Sequence, residues 1–354
     1  MGHMKPRGRQ SGAALLLALL IMTLVATLAA GMVWLQWRGI EVEAAERART
    51  QAEWLLNASL DWGNLILKSS IRNSHTEDDL GQPWATPLEE TKLSSFLSAD
   101  GNHQDDTGPE AYLSGQITDA EGKYNLYNII FDTTKFEEIN RLKMICQAVG
   151  IPATVADTIG GGLRDSYSAA TNAAQGAQSG NGPSGSSVLM PVQIEDLAWY
   201  GVDPKALLQL KPFIELLPPA TPPVPGQPVV LSTINANTAS PEVLMAALPG
   251  ITRAQAQQII LRRQSKPLAS INDLWSALNL ASATPWQNPQ PSPSPQANQV
   301  GVMSNHFEIF GQLRYEQHVI RELSVIYRSP NPFDPIRVLR RERLPPDPVV
   351  AAPA

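Results

Sequence analysis

The side chains able to do chemistry are few and scattered. His3, His75, His103, His306 and His318 show no H-x3-H or HExxH spacing, the pattern that puts two imidazoles on one helix face around a metal. Paired acids occur at Asp78–Asp79 and Asp105–Asp106, in polar stretches that read as loops. A hard cation such as Ca2+ takes loop carboxylates and carbonyls, but no EF-hand spacing is present. Solvated loops and a Ca2+ site therefore both stay open, and no metal ligand is assigned. Asp119 and Glu121 read as turn residues, and Gly160–Gly162, without the lysine of a phosphate loop, as a flexible connector. The single cysteine, Cys146, excludes an intrachain disulfide and a Cys-based zinc site. No Ser–His–Asp or Cys–His set can be placed, so the expectation is a protein that is not an enzyme.

The sharpest motif in the polar part of the chain spans Ile234–Leu280. Thr238 or Ser240 caps a helix at Pro241–Leu248, with Pro241 in the first turn. Leu248, Pro249, Gly250, Ile251 and Thr252 then make a tight turn into a second helix at Arg253–Gln264. The pattern resembles a helix-hairpin-helix element. In DNA-binding members of that group the turn reads Gly-hydrophobic-Gly, so that backbone N–H groups can approach a phosphate. Here Thr252 replaces the second glycine. Arg253, Arg262, Arg263 and Lys266 stand against Glu242 and Asp273, a modest basic excess. Two uses follow: a structural helical module, or a DNA contact like that of membrane-anchored competence receptors. The net charge of −6 argues against nucleic acid for the chain as a whole.

These residues need elements to hold them. Gly12–Trp37 carries no charge, and its core, Ala13–Val33, would span about 31 Å as a helix, one hydrocarbon thickness. Lys5, Arg7 and Arg9 precede it and Arg38 follows. The helical pattern continues to about Ile71; Ala13–Lys68 alone would be about 84 Å long. Val42, Ala45, Ala52, Leu56 and Leu60 recur at helical steps and are candidate contacts for a partner helix. Leu88–Leu97 reads as a short helix. Tyr112–Asp119 and Lys123–Ile129 read as a β-hairpin about Ala120–Gly122. Thr134–Gln147, Val192–Tyr200 and Pro204–Leu210 read as helices, and Ser168–Ser187 as a low-complexity loop. Pro218–Pro228 is a stiff spacer. His306–Tyr315 and Val319–Tyr327 are the closing strands.

The expected fold class is α+β: a long N-terminal helix packed on a small antiparallel sheet, with a large inserted α-helical subdomain holding the helix-hairpin-helix-like module. The divisions are a leader at 1–12, a transmembrane part at 13–37, a first part of the core at 38–133, the insertion at 134–282, a linker at 283–299, terminal strands at 300–330 and a Pro-rich tail at 331–354.

Three origins compete for the apolar stretch: a cleaved secretory signal, a signal anchor, and a leader cut at its end. The apolar run is longer than a secretory signal requires and flows into helix without a break. Short basic leader, Gly12 and long apolar helix together resemble a type IV prepilin signal, which implies cleavage between Gly12 and Ala13. Three features in order then resemble the minor pseudopilin K family of type II secretion systems: this leader and helix, Gly115-x-Ile117-x-Asp119 followed by Asn125-Leu126-Tyr127-Asn128, and the Asn235-Ala-Asn237 module before terminal strands. The upstream Asp78-Asp-Leu-Gly-Gln-Pro-Trp-Ala is similar to a further family element. Ordinary pseudopilins carry Glu at the fifth mature position, where this chain has Leu17. The K family shares that lack, which the resemblance links to a place first in the fibre.

The resemblance implies no enzyme activity and no required cofactor. It implies partners: I- and J-type minor pseudopilins, the major pseudopilin, prepilin peptidase and an inner-membrane assembly platform, with nucleic acid not expected. It also implies a single-pass protein of the bacterial inner membrane, most of it periplasmic, at the tip of a pseudopilus that exports folded proteins.

Overall fold

The computed structural model describes residues 11–72, 76–92, 111–132, 136–178, 189–219, 229, 231–278, 300–315 and 318–345. Helix α1, Ser11–Arg72, is 62 residues long. Its first part is exposed and apolar, and it is long and apolar enough to cross a membrane. Exposed Glu43–Arg47 and Arg49–Glu53 pairs occupy the part just beyond.

From Ala58 onward the chain forms one compact unit. Its frame is a five-stranded antiparallel sheet in the order β1-β2-β7-β8-β9. The strands are β1 Leu88–Lys92, β2 Ala111–Asp119, β7 His306–Tyr315, β8 His318–Tyr327 and β9 Arg337–Leu344. The register is continuous from Ala111↔Tyr315 to Asp119↔Phe307 and from Tyr315↔His318 to His306↔Tyr327. The C-terminal turns of α1 lie on this sheet. Leu60 and Leu67 meet Ile117, Phe307, Ile309 and Ile326, with Trp84 edge-on to Phe307 at 5.3 Å. Each such side chain contributes roughly 1.5–3 kcal/mol on full burial. Gly63 lets the sheet come close: a Cβ there would stand 3.2 Å from Ile309 Cδ1.

Between β2 and β7 the chain builds a second, larger core of helices. They are α2 Tyr127–Phe131, α3 Glu137–Ala148, α4 Thr154–Gln178, α5 Pro204–Leu210, α6 Pro241–Ala247, α7 Arg253–Ser265 and α8 Ile271–Ala277, with a 3-10 turn at Ile194–Tyr200. Two small parallel pairs stitch this subdomain: β3 Tyr124–Asn125 with β4 Ile214–Glu215, and β5 Ile234–Asn235 with β6 Val300–Gly301. Its core runs from Tyr124 through Leu142, Ile159, Leu210 and Leu244 to Val300. The α+β class and the antiparallel sheet are thus as expected.

Several local expectations are corrected. Leu88–Lys92 is an edge strand, not a helix, because it adds to β2 at Leu88↔Gly115 and Lys92↔Tyr112. The hairpin does not form. Asp119 accepts the Glu121 N–H and starts a 3-10 turn, after which Tyr124–Asn125 pairs with β4 while β2 pairs with β7. Within the stretch read as a Pro-rich tail, Arg337–Leu344 is a fifth strand on β8. Gly160–Gly162 and Ser168 onward lie inside α4. The leader before Ser11, most of Pro218–Pro228, the end of the low-complexity tract, the linker at 283–299, His103 and Asp105–Asp106 lie outside the described residues.

The glycine triplet has a packing role. A Cβ at Gly162 would stand 2.4–2.7 Å from the Tyr200 ring and one at Gly160 would stand 3.0 Å from Ile139, whereas Gly161 faces open space. Gly162→Ala is therefore expected to destabilise the fold by about 1–3 kcal/mol through overpacking. Gly161→Ala should be neutral or stabilising by up to about 1 kcal/mol, from helix propensity. Chemical denaturation of the full chain in detergent, wild type beside both variants, checks the opposite signs.

Candidate functional site

Motif residues from three distant parts of the sequence, Asp78, Asp119 and Asn235, meet Ser304 and Arg328 in one buried polar junction between the sheet and the helical subdomain. Asp119 ends β2. Its Oδ2 accepts from Thr238 Oγ1 at 2.6 Å, Ser304 Oγ at 2.7 Å and Asn235 Nδ2 at 2.9 Å, and its Oδ1 accepts from the Glu121 N–H at 2.8 Å. Asn235 Nδ2 also reaches the Asp78 carbonyl at 3.0 Å. Asp78 accepts from the Ser304 N–H at 2.9 Å and from Arg328 Nη2 at 2.5 Å. Arg328 donates further to the Ser304 carbonyl and to the Leu67 carbonyl of α1, and stacks on Phe307 at 4.5 Å. The loop before the sheet, the end of β2, the Asn235 module, the entry to β7 and the exit of β8 are thereby tied to α1. Buried polar groups demand such partners, since an orphan costs about 1–3 kcal/mol.

Gly122 permits the approach. A Cβ there would meet Thr238 Oγ1 at 2.9 Å and its backbone carbon at 3.3 Å. Next to it, His306 Nδ1 lies 2.6 Å from Glu121 Oε1, both buried. Burial, with the Glu121 charge beside it, pushes the Asp119 carboxyl up to about 6.

The two asparagines of the Asn-Leu-x-Asn motif close the subdomain. Asn125 accepts the Leu217 N–H at 3.0 Å and donates to the Leu217 carbonyl and to Ser232 Oγ, both at 2.8 Å. Asn128 donates to the Ser232 carbonyl at 3.0 Å. The chain thus leaves at Leu217 and returns at Ser232 to the same pair of side chains. Asn237 pins Leu268 through both its N–H and its carbonyl.

The turn Leu248–Thr252 joins α6 to α7, with Gly250 at φ +98°. Ser240 caps α6, and Thr252 caps α7 in a capping box with Gln255. The Thr252 N–H donates to Gln255 Oε1 and the Ile251 N–H to the Leu248 carbonyl. Both amides are thus already used within the turn, which leaves fewer donors for a phosphate. Arg263 is spent on the Ala236 and Ala239 carbonyls, and Arg253 pairs with Glu242. Arg262 and Lys266 are exposed. The geometry is that of a structural module.

The other predicted positions lie on α1. Gly12, Ala13 and Leu17 are exposed near its start. Val42 and Ala45 are exposed, while Ala52 and Leu56 are buried. Leu60, 6% exposed, packs on the chain's own sheet and is withdrawn as a partner contact. Asp78 is taken by Arg328, and Asp79 accepts the Gly81 N–H. Among the described residues no group of three or more His, Cys, Asp or Glu could hold a metal ion. Sequence reasoning missed Arg328 and Ser304. The only available signal was an arginine ending a strand, in Tyr327-Arg328-Ser329-Pro330.

The raised Asp119 pKa carries a signed expectation. Between about 3.8 and about 6 the folded chain holds a proton that the unfolded chain has lost. The stabilisation from that proton is full below pH 3.8 and is lost as pH rises through 6. The stability of wild type relative to Asp119→Asn should therefore fall by up to about 3 kcal/mol from acid to neutral pH, on top of a constant offset. Arg328→Met, which strands Asp78, should cost about 3–5 kcal/mol at neutral pH. Denaturant titrations across that range check both.

Comparison with known proteins bears on the same residues. A protein-family model described as type II secretion system (T2SS), protein K, matches residues 234–293, which begin at β5 and include the Asn235 contact with Asp119. No curated protein matches the chain. Among solved structures, a chain of the GspK–GspI–GspJ complex of the type II secretion system from enterotoxigenic Escherichia coli is similar. The identity is 18%, the TM-score 0.58, and the match covers 85% of this chain and 99% of that one. At that identity the likeness shows the shared fold. The segment similar to protein K is thus the one built into the junction of that fold.

Proposed function

We propose that this chain is the minor pseudopilin at the tip of a type II secretion pseudopilus. There it starts and caps assembly with I- and J-type minor pseudopilins, for export of folded proteins. One observation carries the reading: the protein K domain is locked, through Asn235, onto a sheet packed against the end of a helix whose opening part is apolar and exposed. A structural role follows from this arrangement. The helix anchors, the sheet seats it, and the helical subdomain adds bulk where another subunit would otherwise stack.

The anchor supports the position. The apolar run holds no acid, Leu17 stands where ordinary pseudopilins carry Glu, and the first acidic residue of α1 is Glu41. A buried carboxylate in lipid is costly unless paired. A subunit without one makes no demand on a neighbour's terminal amine, which suits the first subunit in a fibre. In this reading prepilin peptidase cuts between Gly12 and Ala13, α1 spans the inner membrane once, and the rest is periplasmic. The major pseudopilin and the inner-membrane assembly platform are further partners. Val42 and Ala45, exposed on α1 beyond the apolar run, are the residues offered to partner helices.

Two measurements test this. Intact mass from cells holding the peptidase should give a chain beginning at Ala13, and Gly12→Val should leave it uncut; an uncut wild type sinks the processing. Co-expression with I- and J-type pseudopilins should yield a ternary complex. Only free chain, from folded partners, would count against the assembly role.

A further inference from the structure

The outer end of the apolar run carries three exposed side chains, Trp34, Trp37 and Arg38, directly after the uncharged stretch Ala13–Val33. At i, i+3 and i+4 they share one face of α1. The indoles are 57% and 62% exposed. The Arg38 guanidinium lies over the Trp34 ring, 5.7 Å from its centroid. It therefore turns back toward the apolar run, the direction in which long helical side chains lean. Glu41 stands one turn onward, at a spacing that favours an ion pair. Arg38 nevertheless makes no ion pair among the described residues. The next two arginines do: Arg47 pairs with Glu43 and Arg49 with Glu53.

An indole has an apolar body and one donor N–H, so it collects where hydrocarbon gives way to headgroups. The run from Ala13 to Val33 covers about 31 Å, so one hydrocarbon thickness ends where Trp34 begins. A guanidinium stacked on that ring and without a carboxylate matches a phosphate, which takes two parallel N–H donors. A partner helix would leave the charge unmatched unless it brought an acid. A bilayer holds phosphates at the level where its hydrocarbon ends. In the reading given above, prepilin peptidase also removes Lys5, Arg7 and Arg9, which leaves Arg38 as the first basic side chain of the remaining chain.

We propose that Trp34, Trp37 and Arg38 bind phospholipid headgroups at the periplasmic face of the bilayer and so fix how far α1 emerges from it. This anchor rests on the reading that α1 spans the inner membrane. The indoles resist sliding in both directions, since one way carries their N–H groups into hydrocarbon and the other carries their rings into water. Arg38 adds a charge-assisted contact to a lipid phosphate. Val42 and Ala45 then stand about 6 Å and about 10 Å beyond Arg38 along the helix axis, at a set height for a partner helix.

Full chain reconstituted in vesicles of phosphatidylcholine and phosphatidylglycerol tests this. Insertion is read first, with a membrane-impermeant maleimide: Met32→Cys should be shielded and Glu43→Cys should react. Reaction at both would remove the spanning helix and the anchor together. Tryptophan emission is then read with lipid brominated either beside the headgroup or at the chain end. Quenching is expected to be at least about twofold stronger with bromine beside the headgroup, and the Trp34→Phe/Trp37→Phe double variant should lose that excess. Equal quenching at the two depths, or an excess kept in the double variant, would overturn the anchor while a shielded Met32→Cys leaves the span standing. Solid-state NMR of arginine-labelled chain should show guanidinium carbon close to lipid phosphorus, with a signal that falls in Arg38→Gln. A signal unchanged in that variant would overturn the phosphate contact.

Discussion

The joining of the sheet to the helical subdomain depends on the burial of one carboxylate, Asp119, among the side chains of Thr238, Ser304 and Asn235. A buried acid must be satisfied, and these three donors come from two segments more than a hundred residues downstream of it. The demand of one side chain thus fixes where the helical insertion leaves the sheet and where the chain re-enters it. Arg328 does the same on the other side of the junction, tying Asp78 and Ser304 to the Leu67 carbonyl of α1. The pair is costly to bury and costly to break. It specifies one geometry for the parts that it joins.

That economy suits a fold whose helical bulk is carried on a five-stranded sheet. The two cores fold on their own local logic: Leu and Ile stripes on short capped helices in one, alternating strands under α1 in the other. The junction between them is polar, so its cohesion depends on hydrogen-bond geometry and charge balance more than on area. The protein K domain begins at the strand that supplies Asn235.

What was legible in the sequence follows from range. The apolar helix, the cap at Ser240 (one of the two candidates, with Thr238), the turn at Gly250 and the strands His306–Tyr315 and Val319–Tyr327 rest on local pattern, and each stands in the structure. The motif residues Asp119, Asn125, Asn128 and Asn235 were visible as a set, but not their partners, because they bond across 69 to 185 positions. The false hairpin arose from Ala120–Gly122, a real turn whose flanking strands pair elsewhere. Leu88–Lys92 and Arg337–Leu344 are edge strands rich in charge, which is how edges are protected and why alternation did not reveal them. Glycines at 160–162 looked like flexibility; at Gly162 the Tyr200 ring supplies the reason instead.

Asp119 and Asn235 join the sheet to the segment similar to protein K through a direct contact at 2.9 Å that couples the two energetically. A double-mutant cycle measures it: denaturant stability of wild type, Asp119→Ala, Asn235→Ala and the double variant. A coupling of about 1–3 kcal/mol is expected for a buried, charge-assisted contact. Additive losses, with coupling near zero, would contradict the account.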